Sequence, residues 1–305
     1  MNMKFVHVIE ADNFTDMYKK LQQDLLKVGT KTNPRKMPTR ELINVNLILT
    51  NPRERLLYSK VRKHNYTYAS AEFLWYMAGT NQLDFIAHYL PNMADYSDDG
   101  KTVNSAYGYR IFGKHNHFPN QWLNVINLLK RDPESRQAII TIHYQQDIGK
   151  ITKDVPCTMN LHFIIRENKL NFLVQMRSND AYMGLIYDVF SFTLLQEHMV
   201  NCLRMADPDL FSKLELGTYI HKSDSMHLYE RNLEGVNYLL REKMSTLKDI
   251  ILPKTELFLS FNGLHELCRS EQSLRNYKVR IDSDLYDGIC KFMAIKLNKI
   301  LDKKK

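Results

Sequence analysis

The chain has 305 residues, of which 44% are hydrophobic, and its formal net charge at pH 7 is +8. This length can build one large core or two modest ones, and the apolar runs are far too short to span a bilayer. The first five residues lack an apolar signal region, so we expect a cytoplasmic protein, or one of the host cytoplasm if the source is viral. The basic residues form no long stripe with interleaved aromatics, which argues against a nucleic-acid partner and favours a phosphate-bearing ligand.

The four cysteines are spread along the chain without CxxC pairing. That spacing argues against a structural zinc site and against a disulfide framework, so we expect reduced thiols and no metal. The four are Cys157, Cys202, Cys268 and Cys290.

Hydrophobic periodicity predicts helices and strands in an irregular order. In chain order it predicts a helix over 13–28, a strand over 41–49, a helix over 70–77 capped by Ser70, a helix over 122–130, a strand over 138–144, a hairpin over 159–176, and helices over 189–203 and 283–300. Mixed elements in this order favour an α+β fold over a wound parallel sheet.

Chemistry-bearing residues concentrate around the predicted hairpin. Cys157 follows a proline directly before the first β-rich run, 159–165, and Arg177 follows the second, 170–176. Antiparallel pairing across the polar turn would return the arginine to the level of the cysteine. A thiol has a pKa of about 8.5, and a nearby guanidinium increases its thiolate fraction at neutral pH. The alternative is that the cysteine is a small buried hydrophobe.

Six motifs in order carry a resemblance to a known family. They are Ala-Glu-Phe-Leu-Trp at 71–75, Asn-Ser-Ala-Tyr-Gly at 104–108, Asp-Pro-Glu-Ser-Arg at 132–136, Pro-Cys at 156–157, Gln-Met-Arg-Ser-Asn-Asp at 175–180 and Asp-Ser-Met-His-Leu-Tyr at 224–229. The chain resembles the thymidylate synthase superfamily, and within it the deoxycytidylate or cytidylate 5-hydroxymethylases more than thymidylate synthase itself.

That resemblance implies an architecture. It is a single α+β domain with a large mixed sheet flanked by helices, packed sheet to sheet in a homodimer. Residues 1–245 would form this catalytic domain. The family's synthases finish with a short tail that closes over the ligands, whereas this chain continues, so we expect residues 246–305 to form a helical extension packed on the same domain.

The resemblance also implies a reaction. A Cys157 thiolate would add to C6 of a pyrimidine nucleotide, so that C5 attacks the methylene of the co-substrate 5,10-methylenetetrahydrofolate. Glu72 would organise water and relay protons, and Tyr107 completes the implied catalytic set. For Glu72 the alternative is a solvated first-turn glutamate that the helix dipole favours.

Several residues match the family's ligand-binding set. Forked guanidiniums suit a dianionic phosphate, which would be bound by Arg35, Arg177, Ser178 and, across the dimer interface, Arg136. Gln137 stands where the synthases carry a second arginine, and the sequence around Arg35 lacks the usual glycine.

The remaining matches concern the sugar and the folate. His227 and Tyr229 would hydrogen-bond the sugar 3′-hydroxyl, and their i, i+2 spacing places both on one face of a strand. Asp180 and Gly184 would contact the folate, the carboxylate accepting from its N–H groups and the glycine allowing close approach. Tyr96 would lie on the folate-side wall.

Asp188 is the departure that bears on the base. Thymidylate synthases carry asparagine here, whose amide both donates to O4 of uracil and accepts from N3–H. A carboxylate cannot donate to O4, but it can accept a bidentate pair from N4 and a protonated N3 of cytosine. The expected substrate is therefore a cytidine monophosphate, with dCMP ahead of CMP. The alternative is that Asp188 only caps the helix expected to begin at residue 189.

The fate of the transferred carbon depends on water. Tyr96 and Met93 stand among acidic residues where the synthases place tryptophans, and less aromatic shielding suits capture of the methylene intermediate by water. Thr158 also resembles the hydroxymethylases. We therefore expect 5-hydroxymethyl-(d)CMP as product. The alternatives are C5 methylation of the same nucleotide, a thymidylate synthase or dUMP hydroxymethylase, and a noncatalytic regulatory or nucleic-acid-binding protein.

Overall fold

The computed structural model describes residues 6–113 and 120–242. The predicted helix over 283–300, the C-terminal extension over 246–305, and Cys268 and Cys290 lie outside these residues. The boundary proposed at residue 245 therefore stays a prediction.

Helices and strands alternate irregularly along the described residues, which confirms the α+β class. The helices are α1 (Phe14–Val28), α2 (Tyr66–Ala78), α3 (Leu83–Ala87), α4 (Tyr107–Phe112), α5 (Gln121–Arg131), α6 (Leu185–Ala206) and α7 (Leu233–Arg241). The strands are β1 (His7–Ala11), β2 (Thr30–Thr32), β3 (Thr39–Leu49), β4 (Ile139–Thr141), β5 (Thr158–Arg166), β6 (Lys169–Met176), β7 (Asn179–Asp180) and β8 (Glu215–Tyr229).

The contacts divide the chain into two compact units. The first contains the described parts of Met1–His64, Cys157–Gln196 and Glu215–Ile251. The second contains the described parts of Asn65–Pro156 together with Glu197–Leu214. The candidate residues are divided between these units.

The first unit is built on a mixed sheet. Its strands run in the order β1-β3-β8-β6-β5, with β2 paired to β3 and β7 paired to β8. β3 is antiparallel to β8, whereas β6 and β7 are parallel to β8. β8 is therefore central, and its C-terminal end carries His227 and Tyr229 beside β7.

Alternating burial explains why these segments form strands. Buried and partly exposed residues alternate along β5 and β6, which pair as the predicted hairpin. Phe163 and Phe172 stack across that pair with ring centroids 4.4 Å apart. The amphipathic helix α1 has the predicted start, where the Asn13 side chain accepts from the Asp16 amide.

In the second unit, α2 differs from its prediction. It begins at Tyr66 rather than near Ser70, because the Asn65 side chain caps it by accepting from the Tyr68 amide. Ser70 is buried inside the helix. Glu72 therefore lies in the middle of α2, and its interpretation as a first-turn glutamate is wrong.

Two further boundaries differ from prediction. α6 begins at Leu185 rather than at residue 189, so Asp188 lies in its first turn and is not its N-cap. β4 covers only Ile139–Thr141, because the chain then turns at Tyr144, whose amide donates to Asp147. None of the helices within 6–113 and 120–242 is long and apolar enough to cross a membrane.

Candidate functional site

Cys157 and Arg177 meet at the open end of the hairpin. The Arg177 amide donates to the Cys157 carbonyl at 2.8 Å, and Arg177 Nη2 lies 3.7 Å from Cys157 Sγ. Cys157 is partly buried, whereas Arg177 is exposed. The predicted pairing of a thiol with a cation at this level is confirmed, and the guanidinium keeps an exposed face for an anion.

The segment after β6 crosses to the end of β8. β7 pairs Asp180 with His227, and Ser178 Oγ lies 3.4 Å from His227 Nδ1. His227 and Tyr229 lie edge to face with ring centroids 5.1 Å apart, as their i, i+2 spacing predicts. Hydroxyl, imidazole and phenol groups therefore lie side by side, and the hydroxyl belongs to the residue directly after Arg177.

Electrostatics favour a neutral His227. Burial lowers the pKa of His227, the nearby Asp180 carboxylate opposes this, and the positive charge of Arg35 adds to it. A neutral imidazole both donates and accepts hydrogen bonds, which suits a sugar hydroxyl. The exposed Arg35 lies four residues before Thr39, which pairs with Tyr229 at this end of β8. Its backbone lies in the left-handed region at φ 52°.

Asp188 has a carboxyl group that ionises with difficulty. Burial raises its pKa to about 7, with an opposing effect from the Asn179 hydrogen bond and a further rise from Asp180. Asn179 Nδ2 donates to Asp188 Oδ2 at 2.6 Å. The Asp188 amide donates to the Gly184 carbonyl at 3.1 Å, so Asp188 lies within the first turn of α6. Its side chain contacts Asn179 and does not cap the helix.

Three side chains from the N-terminal region hold the turn between Asp180 and α6. Tyr18 Oη donates to the Tyr182 carbonyl at 2.9 Å and Arg62 Nε donates to the same oxygen at 3.1 Å. Gln22 Nε2 donates to the Ala181 carbonyl at 2.7 Å. We call this set the turn clamp, because it fixes the backbone that carries Asp180 and Gly184.

The second unit contains the remaining predicted residues. Tyr68 Oη donates to Glu72 Oε1 at 2.7 Å, one helical turn away. Tyr107 begins α4, and its ring lies 5.5 Å from that of Tyr76 between centroids. Tyr96 is 50% exposed at the end of a short 3-10 helix.

Arg136 is exposed in the connection between α5 and β4. Residue 136 also falls between the predicted helix over 122–130 and the predicted strand over 138–144. Its contribution to a neighbouring subunit stays a prediction. Within 6–113 and 120–242, no group of three or more His, Cys, Asp or Glu side chains could hold a metal ion.

Sequence reasoning gave no role to several residues that shape the site. The sequence shows Asn179 only as one residue of the motif at 175–180. Its contact with Asp188 cannot be predicted from that motif, because it depends on how the chain turns between β7 and α6. Tyr68 lies at i, i+4 from Glu72, which the helical period could have revealed. The turn clamp joins residues 120 or more positions apart and leaves no local signal.

The sequence model described as Thymidylate synthase matches residues 16–281. The chain belongs to the thymidylate synthase family. The match covers both units and every candidate residue named above.

Relatives within the family include phage hydroxymethyltransferases. The chain is 27% identical over 306 residues to the deoxyuridylate hydroxymethyltransferase of Bacillus phage SP01, covering 92% of this chain and 78% of that protein. It is 32% identical over 217 residues to the deoxyuridylate hydroxymethyltransferase of Delftia phage PhiW-14, covering 67% of this chain and 57% of that protein. It is 29% identical over 170 residues to the thymidylate synthase of Bacillus licheniformis, covering 54% of this chain and 57% of that protein. The chain thus spans little more than half the length of the last two relatives.

Proposed function

We propose that this chain transfers a one-carbon unit from 5,10-methylenetetrahydrofolate to C5 of a cytidine monophosphate, and that water captures the methylene intermediate to give the 5-hydroxymethyl nucleotide. The observation that carries the base assignment is Asp188. Its carboxyl lies against Asn179 at the start of α6, and its Oδ1 accepts no hydrogen bond from the described residues. An acceptor pair at this place matches the N3–N4 edge of cytosine.

The residues of the first unit take the roles that their chemistry supports. Cys157 adds to C6, and Arg177 stabilises the thiolate while its exposed face receives the phosphate. Ser178 and Arg35 complete the phosphate contacts. His227 and Tyr229 bind the sugar 3′-hydroxyl.

We assign proton movement to Glu72 and Tyr107. Glu72 holds and relays protons through ordered water, and the Tyr68 hydroxyl orients its carboxylate. Tyr107, whose ring lies 5.5 Å from that of Tyr76 between centroids, completes the proposed catalytic set. The exposed Tyr96 gives an open, polar wall rather than a closed aromatic one, which suits access of the capturing water.

The folate supplies the one-carbon unit, and Asp180 fits the task of holding it. Asp180 Oδ1 accepts from the Tyr182 and Met183 amides, each at 2.9 Å. Asp180 Oδ2 accepts no hydrogen bond from the described residues, so one oxygen remains for the N–H groups of a pterin. Gly184 has no side chain, so it leaves space for a ligand next to Asp180.

A second candidate substrate is dUMP. Two of the relatives are named deoxyuridylate hydroxymethyltransferases. An Asp188 pKa of about 7 also leaves a neutral carboxyl partly populated at pH 7, and its O–H can donate to O4 of uracil. Those relatives support deoxyribose as the sugar, and hence dCMP over CMP.

Mass spectrometry of the products tests the proposal. The purified protein receives dCMP, CMP and dUMP separately, each with methylenetetrahydrofolate. A hydroxymethyl group on a cytidylate supports the proposal, and a methyl group overturns water capture. Turnover of dUMP alone overturns the cytosine assignment. Asp188→Asn is the matched variant, and it should lose cytidylate turnover while gaining uridylate turnover.

A further inference from the structure

Asn179 has an acceptor that the described residues leave unmatched. The side chain is only 4% exposed, and its Nδ2 donates to Asp188 Oδ2. Its Oδ1 is buried and has no hydrogen-bond partner in the part of the chain that the structure describes. Buried acceptors are almost always matched in native proteins, because an unmatched one costs the desolvation of the group. Because Asn179 also contacts Asp188, this atom is a candidate acceptor for a donor on a bound molecule.

The structure orients the Asn179 amide with its NH2 end toward Asp188 Oδ2 and its carbonyl end away. This orientation suits the ionised form of Asp188, because an ionised carboxylate only accepts hydrogen bonds. With Asp188 Oδ1 also unmatched among the described residues, the pair offers three acceptor positions: Asn179 Oδ1, the remaining lone pair of Asp188 Oδ2, and Asp188 Oδ1.

Gly184 leaves one side of this pair open. A Cβ added at Gly184 would lie 3.6 Å from Asp188 Oδ2 and 3.7 Å from Asn179 Nδ2, which is ordinary contact distance. Any larger side chain would extend over the two polar groups. The glycine therefore preserves space next to the pair, in the same turn that presents Asp180.

We propose that Asn179 is a specificity-determining residue that reads the exocyclic position of the pyrimidine together with Asp188. The inference rests on the proposed function, since it takes a pyrimidine nucleotide as the ligand. A cytosine with a proton at N3 presents three donors, N3–H and the two N4 hydrogens, to the three acceptor positions. A uracil presents one donor and brings O4 against acceptors.

Asp188 alone would discriminate poorly between cytosine and uracil. Because burial raises its pKa to about 7, part of the protein at pH 7 carries a neutral Asp188 that can donate to O4. The Asn179 N–H favours an unprotonated Oδ2, since a hydrogen bond to the charged form stabilises that form. In the proposed complex, Asn179 Oδ1 adds an acceptor beside Asp188, which opposes O4 of uracil. Asn179 thus keeps the carboxyl oriented to accept at the exocyclic position.

The test compares Asn179→Ala and Asn179→Asp with wild type and with Ser191→Ala. Ser191 is the matched control, because its hydroxyl is also buried in α6 with no partner among the described residues. For each protein, kcat and KM are measured with dCMP and with dUMP, and the binding of each nucleotide is measured without folate. Thermal unfolding identifies variants that fail to fold.

We expect the Asn179 variants to lose affinity for dCMP much more than for dUMP. Asn179→Ala should bind dCMP about 10-fold to 100-fold more weakly, because a donor of the base loses its acceptor, and dUMP binding should change by less than about threefold. Asn179→Asp keeps an acceptor at this position but places a second carboxyl against that of Asp188. The two carboxyls would share a proton, so this variant should also have a lower preference for dCMP. Ser191→Ala should keep the wild-type ratio.

The outcomes separate the two proposals. Suppose that wild type prefers dCMP. If Asn179→Ala then keeps the wild-type ratio of kcat/KM values, or binds both nucleotides more weakly by the same factor, the role of Asn179 is overturned while the proposed function stands. If wild type turns over only dUMP, the cytidylate assignment fails and the role of Asn179 fails with it. A folded Asn179→Asp decides the question if Asn179→Ala does not fold.

Discussion

At the residue scale, the thiol of Cys157 is distinguished from that of Cys202 by its surroundings. Cys157 lies partly exposed beside a guanidinium, whereas Cys202 is 7% exposed inside α6. Burial raises the pKa of Cys202 to about 11. Of these two thiols, only Cys157 has the environment of a nucleophile.

Alkylation tests this difference. At pH 8, iodoacetamide should label Cys157 well before Cys202, and Arg177→Gln should slow labelling of Cys157 severalfold because the cation that stabilises the thiolate is removed. Peptide mass spectrometry follows each site. Arg166→Gln, at the exposed end of β5, is the control and should leave the rate unchanged. Equal rates in wild type and Arg177→Gln would show that the guanidinium does not activate the thiol.

Asp188 links ionisation to stability. Its pKa is raised from 3.8 to about 7, so its stabilising effect is complete below pH 4 and is lost as pH rises through 7. The loss is at most on the order of 4 kcal/mol, because each pKa unit corresponds to about 1.4 kcal/mol. Asp188→Asn cannot ionise, so its stability relative to wild type should be greater at pH 8 than at pH 5.

Urea unfolding at both pH values measures this effect. Ser191→Ala, a change without a titrating group on the same helix, should keep the pH dependence of wild type. A difference between Asp188→Asn and wild type that is the same at pH 5 and pH 8 would mean that Asp188 ionises normally in the folded protein.

At the element scale, local pattern predicted the interiors of elements better than their ends. The hairpin and α1 follow from alternation and helical periodicity in their own residues. The start of α2 was missed because Asn65 precedes a run that is apolar almost all round, which gives no periodic edge. β4 is short because Arg110 binds Asp147 from 37 positions earlier and stabilises the turn that ends it, a pairing that no local pattern contains.

The approach of α4 to α2 depends on Gly108. A Cβ at this position would lie 2.1 Å from the Tyr76 carbonyl oxygen, so the backbone would have to move. Gly108→Ala should therefore cost more than about 3 kcal/mol, the upper end of the usual overpacking penalty, and should displace the neighbouring Tyr107. Chemical denaturation measures the cost.

Gly100→Ala provides the comparison. An added Cβ there meets nothing within 4 Å, and only the left-handed backbone at φ 68° opposes it. Its cost should be about 1–2 kcal/mol. Equal costs at the two glycines would show that the helix contact is not tight.

At the scale of the whole molecule, the predicted homodimer makes a quantitative prediction. If Arg136 acts across the interface, Cys157→Ala and Arg136→Ala subunits are each inactive alone, but a mixed dimer contains one intact site. Random reassociation makes about half of the dimers mixed, so about one quarter of wild-type activity should return. Activity measured after unfolding and refolding the two variants together tests this.

The control is each variant refolded alone, which should stay inactive. No recovery in a mixture that contains mixed dimers would show that Arg136 acts within its own subunit. Tagged subunits, copurified after mixing, establish that the mixed dimers formed.

The turn clamp also sets an order of events during synthesis. Tyr18, Gln22 and Arg62 leave the ribosome more than 100 residues before the carbonyls that they bind, and β8 follows later still. α1 therefore reaches its final contacts only after the hairpin and the following turn have been made. In the folded protein, movement of α1 away from its place would break its hydrogen bonds to this turn and so distort the backbone next to Asp180. Opening of the N-terminal helix should therefore also disturb the turn that presents Asp180, the residue proposed to contact the folate.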